Sequence, residues 1–204
     1  MQFITSIARS HFTSSRGSHD WEHTLRVRAL ALHIGQREHA DLEIIELAAL
    51  LHDIARSKED QNSGQIDHAV LGAKLASKIL KKLKYPQEKI SQVAHCIESH
   101  RFRNNHIPKT LEAKVLFDAD KLDSIGAIGI GRTFLFAGEI GAKLHNHKTN
   151  LSKTKPYTVE DTAYREFMVK LRHVKKSLLT KEGRRLATSR HKFMVEFFKR
   201  LNSE

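Results

Sequence analysis

Cysteine is almost missing from this chain of 204 residues. The single one, Cys96, excludes an internal disulfide and a CxxC-type zinc site, and it points to a reduced, cytoplasmic setting. Proline is nearly as scarce, at three, and glycine reaches only ten, so long stretches run without a breaker. No apolar run approaches the roughly 18 residues of a membrane helix, and no membrane partner is expected. The opening MQFITSIARSHFTSS has neither a sustained apolar run nor a cleavage site, so no signal peptide is expected. Acidic residues are in deficit: 23 Asp and Glu face 35 Lys and Arg, a formal charge of +12. That imbalance favours acidic partners, namely nucleic acid, nucleotides or phosphorylated metabolites. The remaining composition, 40% hydrophobic and 28% charged, is that of a folded protein rather than a disordered one.

What the chain has in quantity is histidine, fourteen of them. Spread over a surface they would mean little, so their places relative to the apolar stripes decide their meaning. From Trp21 to about Gln36, Val27, Leu30 and Ile34 recur at helical spacing, with Ser18 or Asp20 as a cap. Ile44, Leu47, Leu51 and Ile54 repeat the pattern from Glu43 to Ala55, until the polar run SKEDQNSGQ breaks it. Val70, Ala73, Leu80 and Leu83 mark a third helix. Pro86 suits the first turn of a fourth, which Ile90, Val93 and Ile97 carry to about Ser99. RFRNNHIPK reads as a loop, and Leu111 to Ser124 as a fifth helix. The segment from Gly126 to Phe136 has no partner strand and reads as a helix or helix pair whose glycines permit close packing. The polar residues 143–160 are the candidate mobile loop, and helix resumes over about 161–202 with an interruption near Thr180 to Gly183. The expectation is an all-α fold, one domain over 1–204 with its core at about 18–135.

His23 lies four residues before Val27 and so belongs to the buried stripe. His52 and Asp53 close the apolar run LAALL, where an aspartate is costly unless it finds a partner. A divalent cation satisfies both, because imidazole nitrogen and carboxylate oxygen suit Mn, Fe, Ni or Zn. The bland alternative, a doublet that pairs internally or caps a helix, accounts for most isolated His-Asp pairs. The fifth helix adds Asp118 and Asp120 within VLFDADKLD. They differ by about 200° around a helix, so one alone reaches a given ion, and geometry does not choose between them.

The series His23, His52-Asp53, Asp120 resembles the signature of the HD superfamily of metal-dependent phosphohydrolases, which is an all-helical fold. The context matches too: HDWEHTLRV around the first histidine, LAALLHDIA around the doublet, and ADKL at the last aspartate. EAKVLFDADKLDSIGAIGIGRTF and LATSRHKFMVEFFKRL extend the resemblance to small stand-alone HD hydrolases over most of the chain. It implies His23, His52, Asp53 and Asp120 as ligands of one divalent ion (Mn, Mg, Co, Ni or Fe), with Asp120 chosen over Asp118. His19-Asp20 also reads as a doublet, but it follows no apolar helix.

Some branches of that superfamily bind further ions through two histidines between the doublet and the last aspartate. His68 and His100 occupy that interval, and His95 is an alternative. The favoured reading places His68 and His100 in a one-ion pocket, bonded to phosphate or to the attacking water; the other gives them a second ion. Catalysis then rests on metal-activated water attack, with Asp53 orienting or deprotonating the water. Lys121, Arg132, Arg56 and Arg101 adjoin motif residues and are the candidate phosphate-binding cations. Asp123 either supports a ligand or ends its helix. GAIGIGR is not GxGxxG, and neither a P-loop nor a GxSxG elbow is present.

The expected function is hydrolysis of a small phosphate-bearing substrate, most simply a nucleotide. Two alternatives stand beside it: a basic nucleic-acid-binding module with a structural HD site, and an HD-type di-iron oxygenase needing six ligands. The oligomeric state is not legible.

Overall fold

A computed structural model describes residues 1–12, 20–62, 65–101 and 106–204, apart from the side chains of Asp60 and Ser152. Among them every regular element is helical, so the all-α expectation holds. None of the helices is long and apolar enough to cross a membrane. By internal contacts the chain divides into two compact units, Met1–Asp120 and Lys121–Glu204.

The first unit holds α1 (Gln2–Arg9), α2 (Trp21–Glu38), α3 (Leu42–Leu51), α4 (Arg56–Gln61), α5 (His68–Lys82) and α6 (Gln87–Ser99). It also holds most of α7 (Leu111–Asp123). At its centre is α3, whose Ile45, Leu47, Ala48, Ala49, Leu50 and Leu51 are all fully buried. A helix apolar on every side needs neighbours all round, and α1, α2, α5 and α6 supply them. The helix starts are fixed by aspartates. Asp20 accepts the His23 N–H at α2, Asp41 the Glu43 and Ile44 N–H groups at α3, and Asp67 the Ala69 N–H at α5. Each satisfies donors that no turn of helix can reach. Ser18, the other candidate cap, lies outside the described residues.

Several details differ from the sequence reading. The helix through the doublet ends at Leu51, and His52 to Ala55 form a turn. The polar run after it is helical as far as Gln61, as α4. A Cβ on Gly72 would stand 3.3 Å from the His52 carbonyl, so the glycine lets α5 close on the turn bearing the doublet. The N-terminal α1 was not anticipated, and Pro86 sits one position before α6 as its cap.

In the second unit, α8 (Gly126–Glu139), α9 (Ala163–Val169), α10 (Val174–Ser177) and α11 (Lys181–Ser203) follow the end of α7. The glycine-rich segment is a helix, as its lack of a partner strand implied. Gly129 is obligatory there, since a Cβ would meet the Ser124 carbonyl at 2.2 Å. Phe198 stacks on Phe167 and Phe134 in the core and Phe197 packs edge-on, whereas Phe193 is 51% exposed. The polar segment expected to be mobile is stapled. Asn146 donates to the Glu160 carbonyl and accepts from Thr162, and buried Arg165 bonds Asp161 and Thr154.

Candidate metal centre

Five helices or their ends bring one polar cluster together in the first unit. His23 comes from the first turn of α2, and His52 and Asp53 come from the turn after α3. His68 opens α5, His100 follows α6, and Asp120 lies on α7. All but Asp120 are buried.

His52 Nδ1 donates to the Ala49 carbonyl at 2.7 Å, and His100 Nδ1 donates to the Ile97 carbonyl at 2.6 Å. A carbonyl only accepts, so these bonds fix the tautomer and turn both Nε2 lone pairs into the cluster. Burial, with the fields of His52 and His68, pushes His100 down to about 3, so it stays neutral. Burial also lowers His52. His23 Nε2 stands 3.4 Å from His52 Nε2, 3.7 Å from Asp53 Oδ2 and 3.5 Å from Asp120 Oδ1. His52 Nε2 stands 3.6 Å from the same Asp53 oxygen. Ligands held roughly 2.1 Å from a first-row ion lie about 3.0 to 3.6 Å from one another, and the distances here, 3.4 to 3.7 Å, are close to that spacing. Nitrogen lone pairs and carboxylate oxygens converging in a buried space suit a divalent cation. The residues present therefore fit one.

The other oxygen of Asp53 faces the opposite way. Its Oδ1 lies 3.0 Å from His68 Nε2 and 3.7 Å from His100 Nε2. The donor atoms thus form two groups, His23 with His52 and Asp120, and Asp53 with His68 and His100, each within 4.8 Å. Burial works against the Asp53 charge, yet His52 and His68 hold the carboxyl well below the ordinary range.

His68 differs from its neighbours. Its Nδ1 bonds the Glu59 carboxylate, with Arg101 Nη1 3.0 Å from the same nitrogen, and its Nε2 lies 3.0 Å from Asp53 Oδ1, so a carboxylate stands at each end of the ring. Burial opposes a charge on the ring, but Asp53 and Glu59 outweigh it and raise His68 above its ordinary 6.5. Glu59 is a site residue that the sequence reading missed. It sits in the polar run taken for a break, and only the turn of α4 shows where it points. Its carboxylate also receives Arg101 Nη1 at 2.7 Å, with Arg56 at 3.8 Å. Burial opposes its ionisation, and the bonds from His68 and Arg101 still hold it at about 2.

Of the four candidate phosphate-binding cations, Arg56 and Arg101 thus stand against Glu59. Lys121 follows Asp120 on α7, and in the second unit Arg132 pairs with buried Asp123 at 2.7 Å. His95 is outside the cluster and accepts the Lys109 N–H at 3.0 Å. Asp118 is fully buried and belongs to neither donor group.

The family model of the HD domain matches residues 20–125, the interval containing all these donors. This chain belongs to the HD domain family. It is 35% identical over 205 residues to YpgQ of Bacillus subtilis, covering 98% of this chain and 91% of that protein. The crystal structure of YpgQ in complex with ADP superposes with a TM-score of 0.77 at 32% identity, covering 99% of this chain and 96% of that one. An HD superfamily hydrolase from an uncultured Thermotogales bacterium gives a TM-score of 0.72 at 30% identity, covering 100% and 91%. Ribonuclease Y of Chloroflexus aurantiacus is 28% identical over 119 residues, 58% of this chain and 21% of that enzyme. The chain therefore has the HD superfamily hydrolase fold, with a His/Asp cluster able to hold a divalent metal.

Proposed function

We propose that this chain is a cytoplasmic phosphohydrolase acting on a nucleotide, with one divalent ion (Mn, Mg, Co, Ni or Fe) held by His23, His52, Asp53 and Asp120. The observation that carries this reading is the division of labour at Asp53. Its Oδ2 faces two histidine nitrogens at 3.7 and 3.6 Å, while its Oδ1 lies 3.0 Å from His68 Nε2. A carboxylate oxygen already engaged by His68 is less available to a second ion, which favours one ion over two. The ADP bound by YpgQ supports a nucleotide as the substrate class.

A divalent ion in such a site supplies charge for a phosphoryl oxygen and lowers the pKa of water towards neutrality. The side chains do the rest. His100, with Nδ1 committed to Ile97, offers Nε2 as a hydrogen-bond acceptor that orients the attacking water. His68 holds at Nε2 a proton for the phosphoryl or leaving oxygen, and Glu59 keeps it charged. Asp53 fixes both imidazoles relative to one another. Arg101 and Arg56 face Glu59 and Arg132 pairs with Asp123, so a phosphate would compete with a carboxylate for each of these three; Lys121, next to Asp120 in the chain, is the fourth candidate.

The test is a hydrolysis screen of nucleoside mono-, di- and triphosphates and simple phosphoesters on chelator-stripped protein reloaded with Mn, Mg, Co or Ni. Metal content is counted alongside. One ion per chain with nucleotide hydrolysis supports the reading. Two ions per chain would return His68 and His100 to the ligand set, as their shared donor group with Asp53 allows. Two irons with oxygen consumption would favour the oxygenase, and no hydrolysis with any metal would refute the proposal.

A further inference from the structure

The positive charge of this protein is unevenly placed. Residues 1–120 carry 17 Lys and Arg against 15 Asp and Glu, whereas residues 121–204 carry 18 against 8. Nearly all of the excess therefore sits in the unit that contributes none of the six converging donors. Within that unit the carboxylates are mostly consumed internally. Asp123, Glu160, Asp161, Glu166, Glu182 and Glu204 each pair with an arginine or lysine of the same unit.

Among the cations outside these pairs, one group forms a strip along α10 and α11 and in the turn just before them. Arg172, Lys175, Lys176, Lys181, Lys192 and Lys199 are all exposed. Lys181, Lys192 and Lys199 fall within about 20° of one another around α11 and span about 27 Å along it. Arg172 and Lys175 flank the same helix. His191 on α11, kept below its ordinary value first by burial, also feels the positive fields of both. None of the five lysines has a carboxylate within ion-pair reach among the described residues, and Glu196 stands at the strip's edge.

We infer that this α10–α11 face binds nucleic acid through its backbone phosphates. A line of unpaired cations about 27 Å long matches the axial rise of about eight phosphates in one strand of a duplex. Exposed like charges held on a rigid helix gain from a polyanion that releases its counterions on binding. An acidic membrane fits less well, because an interfacial helix inserts its apolar face, and that face of α11, with Ala187, Met194 and Phe198, is buried in the unit. The inference stands apart from the metal centre and holds whatever that site hydrolyses.

The test uses the full chain and fluorescence anisotropy with a labelled 20-nucleotide RNA and a 20-base-pair DNA duplex at several salt concentrations. The triple variant Lys175→Glu, Lys176→Glu, Lys192→Glu should weaken binding at least tenfold. It should also flatten the plot of log K against log salt by about 2 to 3, at roughly 0.7–0.9 per lost phosphate contact. A control with the same charge change in the first unit, Lys74→Glu, Lys78→Glu, Lys81→Glu, should stay within about twofold of wild type, which separates a located surface from net charge. All six side chains are exposed, and circular dichroism verifies the helices. Equal losses in both triple variants, no binding by wild type at 50 mM salt, or capture by phosphatidylserine vesicles in place of nucleic acid would overturn the inference.

Discussion

Replacing Glu59 with glutamine removes one negative charge and keeps the shape of the side chain. In the native protein that carboxylate takes Nδ1 of His68 and Nη1 of Arg101, the latter at 2.7 Å. Charge-assisted bonds of this kind contribute about 1.5–3 kcal/mol each, and a neutral amide retains roughly half. Glu59→Gln should therefore cost about 2–3 kcal/mol at neutral pH. The pH dependence gives a second handle. Glu59 is held at about 2 against an ordinary 4.5, so its stabilisation is complete above about pH 4.5 and is lost as pH falls towards 2. The shift corresponds to about 3 kcal/mol, or about 2 kcal/mol once screening by nearby solvent is discounted. Guanidinium unfolding of the two proteins should accordingly show a gap at pH 7 that narrows by about 1 kcal/mol at pH 3.5. Because Glu59 sustains the proton on His68, the turnover number should fall about 10- to 100-fold while the metal content stays near one per chain. A stability gap that does not change with pH, or an unchanged turnover, would refute this account of Glu59.

Asp120→Asn should lose metal affinity by at least about tenfold, whereas Asp118→Asn should keep the metal and lower Tm by a few degrees. Metal analysis and thermal melts decide between them, and the reverse pattern would reassign the ligand. Burial pushes the Cys96 thiol up to about 12, so it should resist a thiol reagent at pH 8 until the protein is unfolded. By the same shift, native stability should decline as pH rises from about 9 towards 12, since the unfolded thiol ionises first. Leu47→Ala, at a fully buried position of α3, should cost about 2–5 kcal/mol in denaturant titrations with the helices retained.

The helices and most of the donors were legible in the order of the amino acids alone. Apolar residues at a spacing of 3.6 mark α2, α3, α5, α6 and α7 because a buried stripe must follow the helical period. His23, His52 and Asp53 were conspicuous as polar groups on or at the end of such stripes, where solvation is costly. Asp120 needed the family motif, since two aspartates on opposite sides of one helix look alike without a third dimension. Tertiary structure alone decided the rest. It set the two faces of Asp53, which depend on five elements meeting at one point, and the tautomers of His52 and His100, which depend on backbone carbonyls three residues back. Glu59 was illegible because a short polar run carries no period, and its meaning comes from the histidine that α5 brings against it. The +12 charge is a sum, and a sum has no location until the fold divides the chain into a nearly neutral unit and a basic one.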